Sequence, residues 1–289
     1  MRGCETLIVS VLLLLARLDG AFTFSLRPSG HFVAPFQGRG GRQSRGVGER
    51  TAAFLFSGIV EEMGTVEEIL REKEMEMWDG TVGKGTELLI GDAPTSLKDA
   101  YIGCSIAVNG VCLTVTEMGD AKFRVGISPE TIRRTNLLDL VEGAPVNLER
   151  SLQADSRVSG HFVQGHVDGT GEIVDKWRDG ESLWIRVRVS EEILKYIVPK
   201  GFIAVDGTSL TVCDRDAETS TFTFMLIAHT QGAVIIPKKE KGEKVNIEVD
   251  VLGKYVNQSV GPLLDRIMSL EAEVKELSQE VKRLRDKKE

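Results

Sequence analysis

Aromatic side chains are scarce in this chain, at 6% of 289 residues, which argues against a row of stacking residues for single-stranded nucleic acid. Positive charge is scarce too, once the N-terminus is set aside. Residues 1–50 hold seven Arg, no Lys and three acids, whereas the remainder holds 29 basic and 40 acidic residues. An acidic body repels a phosphate backbone, so nucleic acid is not an expected partner. The apolar run Leu7 to Ala16 is ten residues long, about half of what a bilayer span requires, and the mature chain is not expected to be a membrane protein. Cysteines number four, Cys4, Cys104, Cys112 and Cys213, with no CxxC pair. Cys4 falls in a segment expected to be removed, and the odd number left favours reduced thiols in a reducing compartment over a disulfide framework. The histidines of the body, His161, His166 and His229, form no cluster with metal-ligand spacing, so no metal is expected. The sequence also lacks a G-x-S-x-G elbow, a P-loop and a G-x-G-x-x-G fingerprint, which leaves phosphoryl or hydride chemistry without support.

What is present begins with a leader. The run Leu7 to Ala16 suits a signal-peptide core, and Ala21 precedes Phe22. Thr23 to Arg50 is rich in Arg, Gly and Ser and almost free of acids. A signal followed by a transit-like segment beginning with Phe resembles the bipartite leaders of algae with secondary plastids. Plastid localisation is the expectation, with a simple secretory signal as the alternative.

The body is an internal duplication. Ser105 to Val115 (SIAVNGVCLTV) aligns with Phe202 to Val212 (FIAVDGTSLTV) at an offset of 97, and Phe123 to Thr131 aligns with Phe222 to Thr230 at 99. Val146-Asn-Leu-Glu149 and Val245-Asn-Ile-Glu248 correspond at the same offset, and the openings Gly58-Ile59-Val60 and Gly165-His166-Val167 also correspond. Within each half the runs are short, rich in Val, Ile, Thr and Phe, and punctuated by glycine. Asn109-Gly110 and Asp206-Gly207, flanked by apolar runs, are hairpin signals. Two small antiparallel barrels follow, since closure removes exposed strand edges. Short helices are predicted near Ser96-Leu-Lys-Asp99 and after Ser190, a good N-cap residue. At the C-terminus, Leu263, Ile267, Leu270, Val274, Leu277, Val281 and Leu284 repeat at alternating spacings of four and three. That heptad seam predicts a self-association helix; the alternative is an amphipathic helix lying on its own barrel. β-Branched a positions with Leu at d favour two strands when taken alone. The expected organisation is a leader at 1–53, barrels at 54–150 and 151–252, and the helix at 253–289.

Period-two alternation over 111–115 places Cys112 and Thr114 on one face and Val111, Leu113 and Val115 on the other. Ser209 and Thr211 match the first pair, with Leu210 and Val212 opposite. Each barrel therefore presents a thiol or hydroxyl pair outward, beside the same Asn/Asp-Gly turn. The halves also differ, with His166 where the first has Ile59 and Cys112 where the second has Ser209. Two similar pockets with unlike groups suit a reaction in which two like molecules take unequal roles.

The segments Phe56 to Glu62 (FSGIVEE), Ser105 to Val115, Ile127 to Thr131 (ISPET), Ser159 to Gly169 (SGHFVQGHVDG) and Asn246 to Asp250 (NIEVD) together resemble riboflavin synthase over residues 54–256. The resemblance implies a mainly β fold of two tandem six-stranded Greek-key barrels plus a C-terminal α-helix, associating as homotrimers. It implies dismutation of two molecules of 6,7-dimethyl-8-ribityllumazine to riboflavin and 5-amino-6-(D-ribitylamino)uracil without metal or organic cofactor, at a site between barrels of neighbouring subunits. A non-catalytic lumazine- or flavin-binding protein of the same fold is the alternative. Carried over, Gly58, Ile59 and Val60 are expected at one ligand together with Cys112, Leu113, Thr114, Gly126, Ile127, Ser128, Pro129, Glu130 and Thr131. Gly165, His166, Val167, Lys200, Ser209, Leu210, Thr211, Met225, Leu226, Ile227, Ala228, His229 and Thr230 are expected at the other. His166, Ser105, Cys112 and Asp250 match positions implicated in catalysis, with His166 as a base for the 7-methyl group and Ser105 or Cys112 assisting a nucleophile. The chain departs from the family at Ser57, where threonine is usual, at Ala228, where proline is usual, and over Gln231 to Pro237, which lacks a threonine-rich pattern.

Overall fold

The computed structural model describes residues 55–76 and 82–286, so the leader expected at 1–53 lies outside the described residues. In the first half, six strands form a closed antiparallel barrel: β1 (Glu62–Glu76), β2 (Val82–Gly91), β3 (Ser105–Val108), β4 (Val111–Gly119), β5 (Lys122–Ile127) and β6 (Pro145–Arg150), in the order β1-β2-β5-β4-β3-β6. β3, β4 and β5 follow one another as hairpins, and β6 returns beside β3, which is a Greek key. Inward side chains of these strands are buried, with Leu88, Ile90, Ile106, Val108, Phe123, Val125 and Leu148 at 0–1% exposure. Complete burial of each such side chain contributes about 1.5–3 kcal/mol.

The second half repeats this path with β7 (Gly169–Asp179), β8 (Ser182–Arg188), β9 (Phe202–Val205), β10 (Thr208–Thr211), β11 (Asp214–Asp216), β12 (Thr221–Leu226) and β13 (Lys244–Val249). It has seven strands where six are expected, in the order β10-β9-β13-β7-β8-β12-β11. The extra strand is the counterpart of β4 broken in two. Val212 N–H donates to Gly201 on the β9 side, and Cys213 N–H donates to Thr223 on β12, so the chain changes partner between β10 and β11. β4 makes the same change through a bulge between Val115 and Glu117 and stays one strand.

The hairpin turns meet where the barrels touch. Asn109 and Asp206 take positive φ, as do Gly110 and Gly207 after them, and Asn147 and Asn246 tie the turns together. Asn147 Nδ2 donates to Asp206 O at 2.8 Å and Asn246 Nδ2 donates to Asn109 O at 3.0 Å. Their Oδ1 atoms accept from Ile235 N at 2.9 Å and Asn136 N at 2.8 Å. Each asparagine comes from one barrel and satisfies backbone of the other, a reciprocity that a local twofold axis requires. These groups are buried, so each unmade bond would leave a desolvated polar atom.

The helices are α1 (Pro129–Arg134), α2 (Glu191–Leu194), α3 (Ala228–Ala233) and α4 (Val251–Asp286). Ser190 caps α2, its side chain accepting from Ile193 N. No helix forms at Ser96 to Asp99. Pro94 to Asp99 make successive turns, and the Glu62 carboxylate takes the Thr95 and Ser96 N–H groups at 3.0 and 2.6 Å. α4 begins at Val251, two residues before its predicted start, and buries no residue. It therefore does not lie on its own barrel. It is tied at its start, where Lys254 meets Asp168 at 2.8 Å. None of the helices among the described residues is long and apolar enough to cross a membrane.

Candidate functional site

Two edge sites arise where a strand leaves its neighbour. In barrel 1, β4 pairs with β3 over Val111 to Thr114 but meets β5 only from Val115 onward. Gly126 and Ile127, at the end of β5, pair instead with β2, leaving an opened edge between Cys112–Thr114 and Gly126–Ile127. The alternation over this stretch is as expected: Val111, Leu113 and Val115 are buried in the barrel, Cys112 is half-buried and Thr114 exposed. In barrel 2, Ser209 is half-buried and Thr211 exposed, with Leu210 inward. Leu113, Ile127, Leu210 and Leu226 point into the barrel cores, so only their main chain faces outward.

The segments that precede each barrel close these edges, but crosswise. Phe56 and Val163 form an antiparallel bridge that joins the two segments. From there Gly165 O accepts from Cys112 N at 2.9 Å, and Gly58 O accepts from Ser209 N at 2.7 Å. Val167 packs on the core of barrel 1 and Val60 on the core of barrel 2. The expected grouping is thus corrected. The arm of Gly58 and Val60 serves the barrel of Ser209, and the arm of Gly165 and Val167 serves the barrel of Cys112. A bare Cα is required at both crossings, since a Cβ on Gly58 or Gly165 would lie 2.6 Å from the Cβ of Ser209 or Cys112.

Two buried carboxylates strap these arms, and sequence reading passed over both. Glu149 accepts from Ser57 N, Ser57 Oγ and Gly58 N at 2.6, 2.8 and 3.0 Å. Glu248, at the matching position of the second half, accepts from Gln164 N at 2.7 Å, and its other oxygen has no hydrogen-bond partner among the described residues. Burial pushes the Glu149 carboxyl up to about 7 against the pull of the Ser57 and Gly58 donors. It does the same to Glu248, also to about 7, against the Gln164 N–H and Lys254. The signal in the sequence is the aligned Asn-Leu-Glu149 and Asn-Ile-Glu248, acids inside apolar strands.

Ser105 and Cys112 come together at the barrel 1 edge, and His166 follows the Gly165 carbonyl that meets Cys112 N. Burial raises the Cys112 thiol, the neighbouring Ser105 hydroxyl opposes the rise, and the Glu248 charge adds to it, so Cys112 is held as a thiol. His166 is exposed on its arm. Asp250 caps the start of α4, its Oδ1 accepting from Leu252 N at 3.0 Å, and the residue its charge acts on is His161. Lys200 is exposed with φ +66°, its N–H donating to Val212 O.

The loops after β5 and β12 differ in how they are held. Ser128 caps α1 by accepting from Thr131 N at 3.1 Å, Pro129 opens the helix, and Glu130 is engaged by Arg133 and Arg134. α3 has Ile227 and Ala228 at these positions and no side-chain cap. Gln231 compensates, its Nε2 donating to Leu226 O and Glu181 O at 2.8 Å each. The atypical loop is thus anchored to the β7–β8 turn. Cys104, Cys112 and Cys213 are free thiols. Among the described residues no three His, Cys, Asp or Glu side chains gather as a metal site.

The lumazine-binding domain model matches the chain twice, at residues 57–151 and 164–250. Riboflavin synthase of Meyerozyma guilliermondii is 47% identical over 209 residues, covering 71% of this chain and 86% of that protein. Those of Schizosaccharomyces pombe and Bacillus subtilis are 47% and 41% identical, over 94% and 88% of their lengths and 71% and 70% of this one. Crystal structures of LumP complexed with riboflavin and with 6,7-dimethyl-8-(1'-D-ribityl) lumazine share the fold at 19% identity, with TM-scores of 0.59 and 0.58, covering 68% of this chain and 99% of theirs. Taken with the duplicated barrels, these likenesses place the chain in the riboflavin synthase family, as a tandem of two lumazine-binding domains.

Proposed function

We propose that the chain dismutates two molecules of 6,7-dimethyl-8-ribityllumazine, one giving up a four-carbon unit and leaving as 5-amino-6-(D-ribitylamino)uracil, the other accepting it and becoming riboflavin. The observation that carries this reading is the pair of matched but unlike edges. Each is completed by the other half's arm, one with Cys112 and His166 and the other with Ser209 and Ile59. The carbon lost by one ligand is gained by the other, so the reaction balances without an oxidant, a reductant or a cofactor. Holding two rings face to face removes a large entropic barrier, and His166 is the base proposed for the 7-methyl proton. Incubating purified residues 51–289 with the lumazine is expected to produce riboflavin fluorescence. Binding without turnover would select a non-catalytic lumazine-binding protein, and neither would overturn both readings.

The edges lie on the outside of their barrels, beside exposed apolar residues such as Ile59, Phe202, Met225 and Ile227. Two ligands are brought together when barrel 1 of one subunit faces barrel 2 of another, and the proposed assembly is a homotrimer. The seam on α4 supports association, because Leu263, Ile267, Leu270, Val274, Leu277, Val281 and Leu284 are all 41–66% exposed in the single chain. Truncation after Val256 is expected to lower the mass seen in sedimentation and to impair turnover. An unchanged sedimentation coefficient would remove the association role of the helix. The leader supports plastid delivery, and residues 1–53 fused to a fluorescent protein are expected to reach the plastid in an alga. Secretion of the fusion would favour the simple signal instead.

A further inference from the structure

His161 has no role in the scheme above. It lies on the arm before barrel 2, five residues ahead of His166, with its ring buried. Nδ1 is 2.7 Å from Ser209 Oγ, and the ring stacks on Phe202 with centroids 5.1 Å apart and planes 8° from parallel. Ser209 is crowded from two more sides, since a Cβ on Gly58 or Gly160 would fall 2.6 or 2.8 Å from its own Cβ. The hydroxyl has little freedom left, and the imidazole decides whether Oγ donates or accepts. Cys112, the counterpart of Ser209, has the Ser105 hydroxyl beside it instead. The two edges therefore differ in what backs the outward-facing group.

We infer that His161 is a positioning residue of the barrel 2 site, acting through Ser209 to fix the direction in which that hydroxyl meets its ligand. This rests on the reading of the barrel 2 edge as a ligand site. Burial holds the imidazole below its ordinary pKa, and the Asp250 carboxylate at the start of α4 is the charged group that opposes this; Ser209 and Phe202, from β10 and β9, are its neutral neighbours. At neutral pH the ring is uncharged, so Nδ1 can accept the Ser209 hydrogen. Protonation makes Nδ1 a donor and reverses the hydroxyl.

The test compares the full chain with H161N, H161F, S209A and the double variant S209A/H161N, in lumazine turnover from pH 5 to 8.5 and in riboflavin binding. H161F is expected to lose roughly tenfold in kcat/KM with its thermal midpoint nearly kept, and H161N, whose amide can reach Ser209 Oγ, to recover part of it. In the S209A background, H161N is expected to change nothing further. The acid limb of the wild-type profile is expected to change shape in H161N, His166 being retained as the base. H161F with unchanged kcat and KM, additive losses in the double variant, or an unmoved acid limb would overturn the inference while wild-type turnover stands. If the wild type does not turn over, the functional reading fails, and the same cycle is decided on riboflavin affinity, where additivity again overturns the inference. Should H161F not fold, H161N and S209A carry the cycle alone.

Discussion

Alanine at Gly110 is expected to cost about 4 kcal/mol of folding free energy, the sum of a strained left-handed residue and an overpacked contact with backbone. Gly110 has φ +77°, and a Cβ there would lie 2.5 Å from Gly207 N and 2.8 Å from Gly207 Cα. Gly207 has the same φ, and a Cβ there would lie 2.7 Å from Gly110 N. Neither neighbour is a flexible side chain that can swing away. Relief requires the two turns to separate, and separation breaks the Asn147 and Asn246 bonds that hold the turns in register. Gly207→Ala is expected to behave alike. Gly180→Ala isolates the conformational contribution, because Gly180 has φ +58° and nothing within 4 Å of the added atom; about 1 kcal/mol is expected there. Urea unfolding of the three variants checks the ordering. A Gly110→Ala loss no larger than that of Gly180→Ala would mean that the turns are not what locks the barrels together.

Stability is expected to fall as pH rises from about 5 to 8, the reverse of the usual behaviour of surface carboxylates. Glu149 and Glu248 titrate near 7 in the folded protein and at 4.5 as free side chains. Between those values the folded state binds protons that the unfolded state has lost. Their contribution is thus fully present below pH 4.5 and disappears as pH rises through 7. At 1.36 kcal/mol per pH unit, each group accounts for about 3 kcal/mol. His161 works in the opposite sense, since its lowered pKa removes stability as pH falls. Glu248→Gln tests the effect at one of the two acids, because the amide oxygen can accept from Gln164 N. The variant is expected to show a flatter profile and greater stability at pH 8, measured by chemical denaturation at pH 5, 6, 7 and 8. A level wild-type profile, or a variant with the wild-type slope, would contradict the buried acids as the source.

The duplication, the strand runs, the hairpin turns at Asn109-Gly110 and Asp206-Gly207, and the outward Cys112, Thr114, Ser209 and Thr211 were legible in the sequence. All are local, since side-chain alternation follows from the strand period and a two-residue turn needs only its own positive-φ residues. The same holds for α4, whose seam is a repeat within one helix. The buried acids were written in the sequence but unread, because Glu149 and Glu248 sit in strands whose burial depends on which arm covers them. The Ser96 turns were misread for a related reason: a helix-like pattern lost to the distant carboxylate of Glu62, which takes the N–H groups there.

Only the tertiary structure decided which arm serves which barrel. Gly58 aligns with Gly165 whether each arm stays with its own barrel or crosses to the other, so an internal repeat gives the same signal for both arrangements. The choice is made where the halves pack about a local twofold axis, with Phe56 bridged to Val163 and each glycine passing close to a strand of the opposite half. The contact of His161 with Ser209 comes from the same crossing, joining residues 48 apart in the chain. Sequence periodicity determined the faces of the strands, because those depend on neighbours one and two residues away. Packing between the halves determined the composition of the sites, because that depends on close approach of backbones that no local pattern encodes.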